Sequence, residues 1–124
     1  MHDAIIVKNT TKRKPMREET IVKECDEYIS KHLFSDKITL EDMAKEMNYN
    51  PSYLSRTYKK VTGQNVMKRF REKRMEKAEE LLRSGMSVIE VATYMGYSKN
   101  GFTKAYKAVM GINPSSVIKQ DKGE

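Results

Sequence analysis

This chain of 124 residues has one cysteine, three prolines, two histidines and no tryptophan. Each shortage removes a class of protein. A lone Cys25 cannot form an internal disulfide, which excludes a disulfide-stapled secreted scaffold and fits a reducing cytoplasm. It falls on the apolar stripe of an expected helix, where a thiol acts as a small core residue. His2 and His32 are far apart and have no partner cysteines, so no metal-ligand spacing exists. No stretch approaches the roughly 18 apolar residues of a membrane span. The N-terminus has no hydrophobic signal-peptide core either, so no membrane partner is expected and the expected location is cytoplasmic. The chain also lacks a glycine-rich phosphate loop and a nucleophile elbow. Glu79-Glu80 reads as a solvated pair of carboxylates. No enzyme activity, cofactor or metal is expected.

What the chain has in excess is positive charge and repetition. Lysine and arginine number 24 against 17 acids, a formal net charge of +7, and this favours polyanionic partners. Residues 38–65 recur at 86–113 with a constant offset of 48. Leu40 matches Val88, Met43 matches Val91, Ala44 matches Ala92, and Tyr49 matches Tyr97. Further on, Leu54 matches Phe102, Arg56 matches Lys104, Tyr58 matches Tyr106, Lys59 matches Lys107, and Gly63 matches Gly111. Two copies are too few for a solenoid. They suit a protein that makes the same contact twice.

Helix signals bound each copy. Thr39 with Asp42, and Ser87 with Glu90, have N-terminal cap spacing, the second pair as a capping box proper. They open short helices over 40–47 and 88–95. Asn48-Tyr49-Asn50 and Gly96-Tyr97-Ser98 supply turns, and second helices follow over 51–62 and 99–110. Pro51 occupies a first helical position after an Asn cap, while Gly63 and Gly111 stand just past the helix ends. Each copy is therefore a helix-turn-helix. Upstream, Ile21, Val22, Cys25, Tyr28, Ile29 and Leu33 give the apolar stripe of a helix from about Arg17 to Leu33. A long helix over 66–84, with Phe70, Ala78, Leu81 and Leu82 buried, joins the copies. A brief helix from Pro114 to about Gln120 ends the fold. The expected architecture is all-α, with about seven helices and two helix-turn-helix subdomains. Residues 1–16 form a basic tail or linker, 17–65 the first subdomain, 66–84 the linker helix, 85–120 the second subdomain, and 121–124 a tail.

Charge splits unevenly among these helices. The second helix of each copy is basic without an acid: Arg56, Lys59 and Lys60 in one, Lys99, Lys104 and Lys107 in the other. The helix before each is net acidic. A solvated helix normally mixes both signs, so matching basic helices in matching positions point to a polyanion with matching grooves. The B-DNA major groove accepts one α-helix, whose N-terminal turn reaches base edges. The expected base readers are Ser52, Tyr53, Ser55 and Arg56 in the first copy. In the second they are Lys99, Asn100, Thr103 and Lys104. Arginine and lysine suit guanine, asparagine suits adenine, and serine or threonine meets either base or phosphate. Thr39, Lys59, Lys60, Ser87 and Lys107 are expected at phosphates. Leu54, Phe102, Tyr58 and Tyr106 belong inside. The joining helix, about 19 residues and near 28 Å long, is comparable to the roughly 34 Å between successive major-groove segments on one DNA face. The competing reading is a protein-interaction module that keeps the fold without binding DNA. It would require acids or bulky apolar residues on the exposed sides of 51–62 and 99–110.

With these residues in place the chain resembles the AraC/XylS-type transcription regulators, over about Ile21 to Ile118. The resemblance rests on Leu40, Ala44, Tyr53-Leu54-Ser55-Arg56, Tyr58-Lys59-Lys60 and Thr62-Gly63 in the first copy. The linker contributes Arg74, Ala78 and Leu81-Leu82. The second copy adds Ile89, Val91-Ala92, Gly96-Tyr97, Phe102, Lys104, Tyr106-Lys107, Gly111 and Pro114. It implies a homeodomain-like, double helix-turn-helix module that binds a double-stranded DNA operator. It also implies RNA polymerase as a partner and an N-terminal sensor or receiver domain in a longer parent chain, although small stand-alone members exist. One departure stands out. The second copy lacks the extra residue usual in the family between Tyr97 and Phe102, and it carries Gly101 early in its second helix. A less rigid second motif is expected.

Overall fold

The computed structural model describes residues 18–35 and 37–122. The expected basic tail over 1–16 lies outside them. Seven helices and no strand occur among the described residues: α1 (Glu18–Lys31), α2 (Leu40–Met47), α3 (Pro51–Thr62), α4 (Val66–Arg83), α5 (Val88–Tyr94), α6 (Lys99–Met110) and α7 (Pro114–Lys122). They form two compact units. The first runs up to Lys31 and resumes over Ile38–Arg69; the second takes His32–Lys37 and everything from Phe70 onward. The linker helix α4 is thus not a separate piece, since its first turn belongs to one unit and the remainder to the other.

In the first unit α1 packs on α2 and α3. Ile21, Cys25, Tyr28 and Ile29 recur on one face of α1 at helical spacing and are buried, as are Met43, Ala44, Leu54 and Tyr58. Leu54 is the inward anchor of α3. Full burial of such a side chain stabilises by roughly 1.5–3 kcal/mol. Burial also pushes the Cys25 thiol up to about 12, with Asp26 and Glu24 adding to the effect, so it stays protonated and inert at neutral pH.

The second unit repeats the plan with different parts. Met75, Ala78 and Leu82 on α4 pack with Val91, Ala92 and Met95, with Phe102 and Tyr106 on α6, and with Val117 on α7. The Phe102 ring centroid lies 5.7 Å from that of Tyr106 and 6.1 Å from that of Tyr97.

Three helix ends differ from the sequence reading for identifiable reasons. α1 stops at Lys31 instead of Leu33 because 32–34 turn and the Leu33 carbonyl accepts from Arg74 Nε at 2.9 Å. α5 stops at Tyr94, with Met95 as its C-cap, and the Met95 carbonyl also accepts from Arg74. α4 stops at Arg83, where Ser84 Oγ donates to the Leu81 carbonyl and Gly85 takes φ +113°. α7, by contrast, runs past Gln120 to Lys122.

Candidate nucleic-acid interface

The first helix-turn-helix starts from a tight cap. Thr39 Oγ1 accepts from the Asp42 amide at 3.1 Å, and the Asp42 carboxylate accepts from the Thr39 amide at 3.0 Å. This too is a full capping box, because the shorter aspartate still reaches. α2 ends at Asn48, whose φ of 64° is left-handed, a conformation Asn tolerates better than most residues. Asn50 Oδ1 then accepts from the Ser52 and Tyr53 amides at 2.8 and 3.2 Å, and Pro51 opens α3. These local devices fix the direction in which α3 leaves the turn. Its first two turns expose Ser52 and Arg56, with Lys59 and Lys60 further along, while Tyr53 and Ser55 are half-buried.

Not all of these side chains are equally free. The Tyr53 ring leans on Tyr49, with centroids 6.0 Å apart. Lys60 Nζ lies 3.1 Å from Glu18 Oε2, an exposed pair that water and salt weaken. Arg56 and Lys59 form no ion pair among the described residues.

The second motif repeats the geometry. Ser87 Oγ and the Glu90 carboxylate form a capping box at 3.1 and 2.8 Å. Gly96 takes the left-handed position at φ 87°, matching Asn48 in the repeat. Ser98 Oγ accepts from the Gly101 amide at 3.0 Å and caps α6. Lys99, Asn100, Lys104 and Lys107 are exposed and Thr103 is half-buried. Among described residues none of the three lysines is ion-paired. Thr39 and Ser87 are exposed; each hydroxyl accepts in its cap, which leaves its proton to donate outward.

The exposed arc of each second helix thus carries cations and neutral polar groups without an acid. Val61, 39 % exposed in the last turn, is the exception, the one large apolar side chain exposed on α3. On α2 the outward side chains are Glu41, Asp42, Lys45 and Glu46, so the acids stay off the basic helix. Glu79 and Glu80 are tied to Arg83 and Lys77, each at 3.0 Å. No His, Cys, Asp or Glu cluster able to hold a metal occurs among the described residues.

Sequence reasoning missed one residue of consequence. Arg74 appeared only as part of the family spacing, yet it is 3 % exposed and grips the second motif's turn. A signal was available: Arg74 stands four residues after Phe70 and four before Ala78, on the buried stripe of α4.

Two units, each containing a capped helix-turn-helix with a basic, acid-free second helix, define a double helix-turn-helix module for DNA. Residues 43–120 match the family model described as "Helix-turn-helix domain". The chain is 31% identical over 108 residues to the HTH-type transcriptional activator AarP of Providencia stuartii, covering 86% of this chain and 79% of AarP. It is 32% identical over 114 residues to the regulatory protein PocR of Salmonella typhimurium, covering 90% of this chain but only 37% of PocR. Among solved structures, the C-terminal domain of AraT, a response regulator from Geobacillus stearothermophilus, superimposes with a TM-score of 0.72 at 34% identity, over 85% of this chain and 88% of that one. The chain belongs to this AraC-type helix-turn-helix family, whose function is DNA binding in the regulation of transcription.

Proposed function

We propose that the chain recognises specific double-stranded operators by placing α3 and α6 in successive major-groove segments. The observation that carries this reading is the pair of exposed basic arcs on α3 and α6, at repeat-related positions and without an acid. In it, Ser52, Tyr53, Ser55 and Arg56 meet the bases of one segment, and Lys99, Asn100, Thr103 and Lys104 those of the next. Thr39, Lys59, Lys60, Ser87 and Lys107 hold the flanking phosphates.

The chain acts in the cytoplasm as a regulator and not as an enzyme. RNA polymerase is its partner at the promoter. A sensor or receiver domain in a longer parent chain is supported by the likeness to a response regulator's C-terminal domain, and a stand-alone regulator by the 79% of AarP that the chain covers.

Titration with random-sequence duplex DNA at two salt concentrations tests the reading. Each neutralised phosphate contributes about 0.9 to the slope of log affinity against log salt. The three lysines assigned to phosphates therefore predict a slope of about −3 or steeper. Absence of duplex binding, or binding indifferent to salt, would favour the interaction-module alternative.

A further inference from the structure

We infer that Arg74 positions the N-terminal turn of α6 for DNA, by latching the turn of the second helix-turn-helix to α4. Its guanidinium is buried and bonds to three separate places. Nε donates to the Leu33 carbonyl at 2.9 Å, Nη1 to the Tyr97 hydroxyl at 2.8 Å, and Nη2 to the Met95 carbonyl. The guanidinium carbon also lies 5.0 Å from the centroid of the Tyr97 ring, within cation–π range. An arginine keeps its charge at any ordinary pH and is costly to bury. Here the planar fork meets one acceptor per edge, and one of them is a carbonyl at the negative end of α5.

The acceptors say what the latch is for. Met95 and Tyr97 flank Gly96, the left-handed residue of the turn, and Tyr97 immediately precedes Ser98, the cap of α6. Fixing both sides of a glycine fixes the angle at which the next helix departs. The second motif needs this support, because Gly96 costs backbone entropy to order and Gly101 weakens the start of α6. At the repeat position of Arg74 the first unit has Asp26, which accepts from the Tyr58 hydroxyl instead. Its turn is held locally, by Asn48 and Asn50. Arg74 is therefore a positioning residue for one motif only. The inference rests on the proposed DNA reading for its binding half, and stands on geometry for the other.

The test uses Arg74→Lys, which keeps the charge but replaces the fork with a single ammonium, and Tyr97→Phe, which removes one acceptor without changing the packing. Amide hydrogen exchange is measured first. Exchange at Gly96, Tyr97 and Phe102 should quicken about tenfold or more in Arg74→Lys and less in Tyr97→Phe. Asn48, Tyr49 and Leu54, the matching amides of the first motif, should keep the parent's rates. Equal quickening in both motifs, or in neither, overturns the latch. Binding is then compared on a 30-base-pair duplex selected with the parent chain from a random pool, and on the same duplex with the α6 half scrambled. The parent's preference for the intact duplex should fall about tenfold in Arg74→Lys, with affinity for the scrambled one unchanged. An unchanged preference overturns the role in DNA reading. If no duplex can be selected from the pool with the parent chain, the DNA reading fails while the exchange data still judge the latch.

Discussion

The two helix-turn-helix motifs have one geometry and two ways of holding it. In the first, the chain itself specifies the turn: Asn50 caps α3 with two bonds, Pro51 presets the first helical position, and Tyr53 leans on Tyr49. In the second, Ser98 makes one cap bond, Lys99 replaces Pro51, and Gly101 replaces Tyr53. What local sequence omits there, Arg74 supplies from α4. The outer faces diverge as well. α2 shows Glu41, Asp42, Lys45 and Glu46, whereas the same positions of α5 hold Ile89, Glu90, Thr93 and Tyr94, with Ile89 58 % and Tyr94 57 % exposed. A repeat therefore preserves the positions that build the fold more closely than those that stabilise it locally.

The largest expected effects lie in the anchors. Phe102→Ala should cost about 3–5 kcal/mol and Leu54→Ala about 2–5. The aromatic anchor should be the costlier, because it also loses ring contacts to Tyr97 and Tyr106, each worth roughly 0.5–1.5 kcal/mol. Urea unfolding of the two variants gives the ranking. A larger loss at Leu54 would mean that the first core, and not the second, leans harder on its anchor.

Arg56→Ala should come next, weakening specific binding by about 1–3 kcal/mol and relaxing preference at one base pair. Lys104→Ala, its repeat partner, should lose less discrimination, because an ammonium lacks the two-pronged fork that matches guanine. Binding to a set of single-base operator variants separates the two. A uniform loss across all variants would move Arg56 from the bases to the phosphates.

These predictions draw on what sequence could and could not supply. α3 and α6 were legible to the residue, since Asn50, Pro51 and Ser98 mark their starts, and Gly63 and Gly111 their ends. The anchors were legible from period alone. What escaped was long-range. Nothing near Leu33 announces that 32–37 belongs with the second unit, because its contacts there are long-range: the Leu33 carbonyl accepts from Arg74, forty-one residues away, and the Phe34 ring lies 4.9 Å from that of Tyr94. The carbonyls just past the ends of α1 and α5 accept from that same side chain. The base and phosphate roles rest on exposure and charge, which the sequence and the structure describe alike.

A smaller contrast separates the paired tyrosines. Tyr58 Oη donates to Asp26 Oδ1 at 2.8 Å, while Tyr106 Oη is buried without a hydrogen-bond partner among the described residues. Tyr58→Phe should therefore cost about 1 kcal/mol, and Tyr106→Phe should be neutral or mildly stabilising. Burial raises both phenols above their ordinary value, aided by Asp26 for Tyr58 and by Glu79 for Tyr106. Their neutral forms favour the fold, so stability is full below about pH 10 and falls as pH rises through the raised values. Each phenylalanine variant should flatten that alkaline fall. The opposite ranking at neutral pH would mean that Tyr106 has a partner and Tyr58 does not need one.

The smallest net effect is expected at Gly101, where two terms oppose each other. Alanine in a helix interior is favoured over glycine by roughly 1 kcal/mol, and Gly101 has no positive φ to preserve. An added Cβ, however, would meet Ser98 Oγ at 3.0 Å and Tyr97 Cδ1 at 3.7 Å. Ser98 Oγ is the atom that accepts the Gly101 amide, so it must shift and weaken the cap. Loss of a whole serine cap costs about 0.5–2 kcal/mol. Gly101→Ala should therefore change stability by less than about 0.5 kcal/mol, with the propensity gain hidden by the cap's loss. Combining it with Ser98→Ala exposes the hidden term. Once the cap is gone the crowding goes with it, and alanine at 101 should stabilise by about 0.5–1 kcal/mol relative to Ser98→Ala alone. Thermal unfolding of the four members of this cycle measures the coupling. Strict additivity would show that glycine is not there to spare the cap.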